Sequence, residues 1–456
     1  MLDVSKMKSA ELTLELLHIR RVLRVYKIRI MILSGFACLS FLSLVICLLI
    51  MTGSRCSHIP IEPIPRGTRY GDFQAEAVMY ASEIVDVIPT DHRVAFSVLS
   101  HRSQIDDRYL TYTRRWAEAV QGPVYVNTDG VTPETQELIE SDGHGVVVMP
   151  RELLATIRFY LMALDLFERE PGSDWFVLVD DDCLLFVPNL LALLATFDPA
   201  MPLYLGGTSE RSRSVARHGW MASGGAGAVL SRAAMARLVA LGSLDCLLDH
   251  PEATNGDELL SLCVFDAGVP FTPVPGLHQL DLRGDASGYV EGVLSRSVPV
   301  SMHHLGSIDR LYPSLSNEVT VTRLLNYTRP ETLFQRAVGH VSLEIDGEPC
   351  NATISVVRGF RAQLWDSPLP LSTFARVSKT WRDSSKGEVY RDIALRSPSA
   401  VPRPLTVYYG DDGVYRDGRG LSVSTVDGDC GGLPLCGGAM ADGVLNVTVD
   451  WDAVSL

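Results

Sequence analysis

The feature that most constrains this chain is an uncharged run of 22 residues, Ile30–Met51, reading IMILSGFACLSFLSLVICLLIM. About 20 helical residues cross the hydrocarbon core of a bilayer. The apolar region of a secretory signal peptide is shorter, about 7–15 residues. Residues 1–29 carry seven basic and three acidic groups, although the whole chain has a formal charge of −14. An excess of Lys and Arg before a span holds that side in the cytoplasm. The pattern predicts a cytoplasmic tail (1–29), a transmembrane signal anchor (30–51) and a body outside the cytosol, a single-pass type II arrangement. The acidic body argues against broad nucleic-acid binding, which needs a basic footprint.

Prolines 60, 63 and 65 mark residues 52–91 as a stem. Beyond the span stand three glycosylation acceptors, Asn326-Tyr-Thr, Asn351-Ala-Thr and Asn446-Val-Thr, consistent with a secretory lumen. Seven of the nine cysteines also lie there, and an odd number cannot all pair within one chain. Cys430 and Cys436 are spaced to close a small loop, and a lone Cys56 beside the membrane would allow a disulfide-linked homodimer.

Residues 92–313 alternate apolar strand runs with helical patterns, as α/β domains do. Strands are expected at His92–Leu99, Pro123–Asn127, Gly145–Met149 and Trp175–Val179, and helices at Arg108–Val120, Arg151–Glu170 and Pro188–Phe197. A connector (314–338) follows, then a β-rich C-terminal region (339–456) of alternating runs such as Leu405-Thr-Val-Tyr-Tyr.

The chemistry gathers after the fourth strand. Asp180, Asp181 and Asp182 follow Trp175–Val179 directly. Adjacent carboxylates repel, so they need a cation or an exposed position. Ligands bind at the carboxyl ends of strands in open α/β sheets, and Mg²⁺ and Mn²⁺ favour carboxylate oxygens and substrate phosphates. A solvated acidic turn is the plain alternative. The run Ala222-Ser-Gly-Gly-Ala-Gly places small residues where a backbone can approach a ligand, or simply turn. Asn255-Gly-Asp-Glu258 offers a carboxylate base or a helix cap. Ser301-Met-His-His-Leu305 offers imidazoles that suit Mn²⁺ or serve structure.

In order and spacing, six blocks resemble glycosyltransferase family 31, the Fringe-like and core-1-type β-1,3-glycosyltransferases. They are WFVLVDDDCLLF (175–186), YLGGTSE (204–210), GWMASGGAGAVLSRA (219–233), NGDELLSLCV (255–264), GLHQLDLRGDASGY (276–289) and VSMHHLGSIDRLYP (300–313). The similarity is closest to the fungal and plant Fringe-like branch and covers about half the chain. It implies a GT-A-type nucleotide-diphospho-sugar transferase fold, a UDP-sugar donor, a glycan or glycoprotein acceptor, Mn²⁺ (with Mg²⁺ as the alternative ion), and transfer with inversion, forming a β-1,3 linkage. A Golgi or ER membrane location goes with it. The resemblance makes Asp182, Asp180 and His303 metal residues, with His304 in reserve, and puts Asp181 beside the nucleotide or metal. Asp257 takes the base position, with Glu258 the alternative because this doublet reads Asp-Glu. Gly224 and Gly225 would floor the sugar pocket, and Ser100 would lie near the nucleotide. The competing reading is a transferase-like membrane protein that binds a sugar or partner without catalysis.

Overall fold

The computed structural model describes residues 92–345, 348–383, 389–390, 393–410, 414–416, 422–427, 435–441, 444–449 and 451. The expected tail, anchor and stem lie outside the described residues, as do Cys56 and Cys430. Among the described residues no helix is long and apolar enough to cross a membrane.

The α/β expectation holds for the first part. Strands β1 (Val94–Leu99), β2 (Val124–Thr128), β3 (Gly145–Val148) and β4 (Trp175–Asp180) are followed by β5 (Leu184–Leu185), β6 (Tyr204–Gly206), β7 (Ala228–Ser231) and β8 (Phe271–Pro273). Seven of these form one sheet in the order β3-β2-β1-β4-β7-β6-β8. The first four run parallel, β7 runs antiparallel to both β4 and β6, and β8 is parallel to β6. Central strands covered on both faces read as continuous apolar runs, and Trp175 to Val179 are all buried. The strand extends one residue beyond the expected run, because Asp180 pairs with Leu99 in the parallel register. The first carboxylate of the triplet is therefore a strand residue, and the next two begin the turn.

One face of the sheet is covered by the helix Ala155–Arg169, which buries Phe159, Tyr160, Met162, Ala163 and Leu166. It packs with the helix Gly256–Asp266 through Leu259, Leu260, Cys263 and Val264. The other face carries Trp116 and the helix Val187–Leu194. The helical stretch Ile105–Ala117 is interrupted by a π-helical turn at Tyr109–Thr113. Cys246 and Cys263 form a disulfide, and Cys183 is buried and free.

A small sheet behind the acidic turn is made of β5, β9 (Leu277–His278) and β11 (Ser301–Met302), in the order β5-β11-β9. Between them, β10 (Arg283–Gly284) reaches forward to pair with a strand near residue 381. Ser316 then caps the helix Asn317–Leu325, its hydroxyl accepting from the Val319 N–H at 3.3 Å.

The C-terminal part is β-rich. Its strands are β12 (Arg336–Ile345), β13 (Glu348–Val357), β14 (Arg361–Trp365), β15 (Val377–Ser378), β16 (Trp381–Arg382), β17 (Leu395–Arg396), β18 (Leu405–Tyr409), β19 (Tyr415–Arg416), β20 (Ser422–Asp427), β21 (Leu435–Ala441) and β22 (Val444–Val449). Eight of them form a sheet ordered β12-β13-β14-β18-β19-β20-β22-β21, and β12 lies close to β21. Its own core holds Val341, Ile354, Val356, Val407 and Val447. A second cluster joins it to the α/β part, with Tyr289, Leu294 and Met302 on one side and Val357, Phe360 and Trp381 on the other. Asn326 and Asn351 are exposed, whereas Asn446 is half-buried within β22.

Candidate functional site

Sheet register explains why residues far apart in sequence meet at the end of β4. Strand β11 pairs antiparallel with β5, placing Met302 opposite Leu184. The residue after β11, His303, is thereby brought to the residues before β5. Its Nε2 lies 2.7 Å from Asp182 Oδ1, across 121 positions of chain, and 3.9 Å from Asp180 Oδ2. The His303 ring is buried against Gly225, where an added Cβ would stand 2.1 Å from it. Only glycine permits that approach. The His304 ring stacks on it at 3.7 Å between centroids, and its Nδ1 lies 3.5 Å from Asp281 Oδ1.

The three carboxylates have different surroundings. Asp180 retains 37% side-chain exposure, against 12% for Asp182. Asp180 lines a cavity that Asp257 also lines. Burial of the rest, with Asp257, Asp182 and Asp181 nearby, pushes its pKa up to about 7, against the pull of His303. Burial would also raise Asp182, but the His303 hydrogen bond and the charges of His303 and Arg108 outweigh it and hold that carboxyl at about 2. Asp181 turns the other way. It accepts from Ser100 Oγ at 2.5 Å and from Arg108, yet burial still leaves it above the ordinary range.

Sequence reasoning named Ser100 but missed Arg108, which bridges Asp181 and Asp182, the latter at 3.5 Å. It also missed Asp129 at the end of β2. That carboxylate accepts from the Arg102 N–H at 2.8 Å and lies 3.2 Å from His101 and 3.3 Å from Arg158. Both partnerships span long stretches of chain and leave no local motif. Glu210 was quoted within a block but given no role. It is buried and accepts from the N–H groups of Leu280 and Asp281 and the Tyr289 hydroxyl, each at 3.1 Å. It thereby braces the loop that carries Asp281.

The acidic doublet divides its tasks. Asn255 and Glu258 form a capping box at the start of the helix Gly256–Asp266. Glu258 accepts from the Thr254 N–H at 2.7 Å and lies 3.2 Å from His218. These partners hold it below the ordinary glutamate range, against burial. Asp257 accepts from the Gly224 N–H at 3.0 Å, and burial raises it despite that bond. Asp257 also lines two neighbouring cavities. One, of about 290 Å³, includes Asp180, Phe159 and Gly224. The other, of about 170 Å³, includes His218, Gln279 and Asp281.

The donor set suits a divalent cation. Asp182, His303 and His304 each offer a ligand atom, all within 4.8 Å of one another. Among the described residues the buried Nδ1 of His303 has no hydrogen-bond partner, so the ring's polar contact is directed through Nε2 toward the carboxylates. Oxygen and imidazole nitrogen together fit Mn²⁺-type ions. Asp180 is drawn to the same point through His303, and Asp181 is held away from it.

Residues 90–311 match the family model described as Fringe-like, and residues 215–409 match one described as a protein of unknown function, DUF604. A human beta-1,3-glucosyltransferase is 33% identical over 151 residues, covering 33% of this chain and 28% of that protein. The Xenopus laevis glycoprotein-N-acetylgalactosamine 3-beta-galactosyltransferase 1 is 31% identical over 140 residues, covering 28% of this chain and 37% of its own length. The chain thus spans well under half the length of the curated relatives it matches. Among solved structures, the glycosyltransferase GlyE of Streptococcus pneumoniae aligns with a TM-score of 0.34 at 14% identity, over 50% of this chain and 59% of that one. The chain thus carries a Fringe-like domain at residues 90–311, and this part is similar to beta-1,3-glycosyltransferases in the region that holds the acidic turn, glycine run, doublet and histidine.

Proposed function

We propose that this protein is an inverting glycosyltransferase that moves a hexose from a UDP-sugar to a 3-hydroxyl of a glycan or glycoprotein acceptor. The observation that carries the proposal is that Asp257 shares one cavity with Asp180, while Asp180 and Asp182 converge on His303. The residue proposed as base thus shares a cavity with Asp180, which stands at the edge of the proposed cation cradle. The GT-A reading of the fold is supported by the parallel run β3-β2-β1-β4 with the acidic turn at the end of β4.

Asp182 and His303 would hold a Mn²⁺ or Mg²⁺ ion, with Asp180 and His304 beside them. When bound, the ion supplies positive charge that stabilises the departing diphosphate. The remaining work falls to the chain itself. Asp257 takes the acceptor hydroxyl's proton as the oxygen attacks the anomeric carbon. Its raised pKa makes it a stronger base than an ordinary aspartate. The Gly224 N–H fixes the orientation of that carboxylate. Ser100 and Arg108 pin Asp181, which sets the turn so that Asp182 faces His303. Gly224 and Gly225 keep the floor free of side chains. The neighbouring cavity, lined by His218, Gln279 and Asp281, would take the acceptor. The proposal includes the type II anchor at 30–51, a lumenal Golgi or ER location, and glycans on Asn326, Asn351 and Asn446.

The test is nucleotide release by the purified full chain from UDP-glucose and UDP-galactose, with added Mn²⁺ and with chelator. Metal-dependent release with at least one donor, lost in Asp182→Ala while the thermal unfolding transition persists, is the expected result. Absence of release from every donor, or wild-type release by Asp182→Ala, would overturn it.

A further inference from the structure

The seam between the α/β part and the C-terminal sheet concentrates arginine. Glu291 is buried on the short helix Ser287–Gly292. Arg361 of β14 donates its Nε to Glu291 Oε1 at 2.5 Å. Arg336 of β12 donates to Ser355 Oγ at 2.9 Å and to the Glu291 carbonyl at 3.3 Å. Arg296 donates to the Ala375 carbonyl at 3.4 Å. The neighbouring Phe374 ring meets two guanidiniums, with Arg336 Cζ 5.3 Å and Arg396 Cζ 5.9 Å from its centroid. Among the described residues, this network sets four arginines against Glu291, with Asp285 adding a second carboxylate charge near Arg361.

Arg361 and Glu291 form a pair; among the described residues Arg336 and Arg396 form no ion pair of their own and feel Glu291 only at a distance, and Arg296 is exposed. Nε and Nη1 of Arg396 are buried and have no hydrogen-bond partner among the described residues. Guanidinium does not relieve such strain by losing a proton, and burying unpaired charge is unfavourable. Stacking on a single phenyl ring offsets only part of that penalty. Burial together with Arg361, Arg396 and Arg296 holds Arg336 below the ordinary arginine range, although Glu291 opposes it. The missing element in this charge balance is an anion with several acceptor oxygens, the shape that a planar guanidinium fork binds best.

We propose that this seam is a binding site for an oxyanion (sulfate, phosphate or carboxylate) held by Arg396 and Arg336, with Arg296 at its exposed margin. The site uses none of the groups assigned to sugar transfer, so it stands or falls separately from the catalytic reading. The oxyanion is either free in solution or carried on an acidic glycan.

The test is isothermal titration of the purified full chain with sodium sulfate, sodium phosphate and a heparin tetrasaccharide, with sodium chloride holding ionic strength constant. Saturable binding is expected, weakened by about tenfold or more in Arg396→Gln and in Arg336→Gln. Arg329→Gln, which alters an exposed arginine paired with Glu331, leaves it unchanged. Tighter binding of the tetrasaccharide than of inorganic sulfate assigns the glycan-borne source, and equal binding per sulfate assigns the free anion. No saturable binding of any probe to the wild-type chain overturns the proposal, as does undiminished binding by a folded Arg396→Gln. Should that variant fail to fold, Arg396→Lys, which keeps the charge but loses the fork, is expected to bind more weakly, and undiminished binding there overturns it equally.

Discussion

Two regions of this molecule bury unbalanced charge, with opposite signs. At the end of β4, Asp180, Asp181 and Asp182 stand together and are answered in part by His303 and Arg108. At the seam with the second sheet, Arg361, Arg336 and Arg396 gather near Glu291, with the exposed Arg296 at the edge. The acidic group sits at a strand end and opens into a cavity, with its side chains sorted into distinct roles by neighbours. The arginine group sits between two packed layers and is braced by aromatic and backbone contacts. Local charge excess alone therefore does not identify catalysis. Among the described residues, the acidic region is where carboxylates, an imidazole and a cavity come together.

The sharpest way to break that contrast is Asp257→Asn. A general base, the part proposed for Asp257, contributes about 10²–10⁴-fold to a transfer rate. Its loss is expected to lower kcat by that order while nucleotide affinity, followed by titration with UDP, stays within about twofold. Its raised pKa has a directional consequence. The base acts when ionised, so the acidic limb of the kcat/KM profile is expected above the ordinary aspartate range, with activity rising as pH rises through it. Unchanged kcat in Asp257→Asn would dismiss it as the base.

The seam should behave in the opposite manner. Arg361 and Glu291 are both nearly inaccessible, with side-chain exposures of 9% and 4%. Removing one member of a buried pair typically costs about 3–5 kcal/mol. Glu291→Ala is therefore expected to lower stability by roughly that amount in denaturant unfolding, while the folded fraction keeps its UDP affinity. A loss of UDP affinity in the folded variant would mean that the two regions are not separable. Arg108→Gln is expected to be milder, reducing kcat/KM by about 10–100-fold through the support it gives Asp181 and Asp182.

Much of the α/β part was legible in the sequence, because buried parallel strands must be apolar along their whole length. The runs around Phe96, Val126, Val147 and Val177 became β1 to β4 with end shifts of one or two residues. The expected helix at Arg151 begins at Ala155 instead, since Leu154 keeps an extended backbone and the Leu153 N–H turns back to the Pro150 carbonyl. The triplet, the glycine run and the doublet were visible as chemistry, but their mutual distances were not. The meeting of His303 with Asp182 depends on the register of β11 against β5, which no local pattern encodes. Arg108, Asp129 and the Cys246–Cys263 pairing escaped for the same reason, being contacts whose signal is three-dimensional.

The smallest expected effect sharpens the comparison most finely, because it concerns the residue beside the base. Glu258 points back toward Thr254 and Asn255 and pairs with His218, so its task is to finish the helix rather than to meet substrate. Loss of such a cap costs about 0.5–2 kcal/mol. Glu258→Ala is expected to lose stability within that range, and Glu258→Gln only a few tenths of a kcal/mol, because an amide oxygen still accepts from the same N–H groups. Both variants should keep kcat within about threefold of the parent once assayed well below their unfolding transitions, against the far larger loss in Asp257→Asn. The decisive measurement is kcat for Glu258→Gln, since it removes the charge and leaves the cap. If transfer collapses there while Asp257→Asn remains active, the proton acceptor is Glu258, and the hydrogen bond from Gly224 to Asp257 is a floor contact without a catalytic purpose.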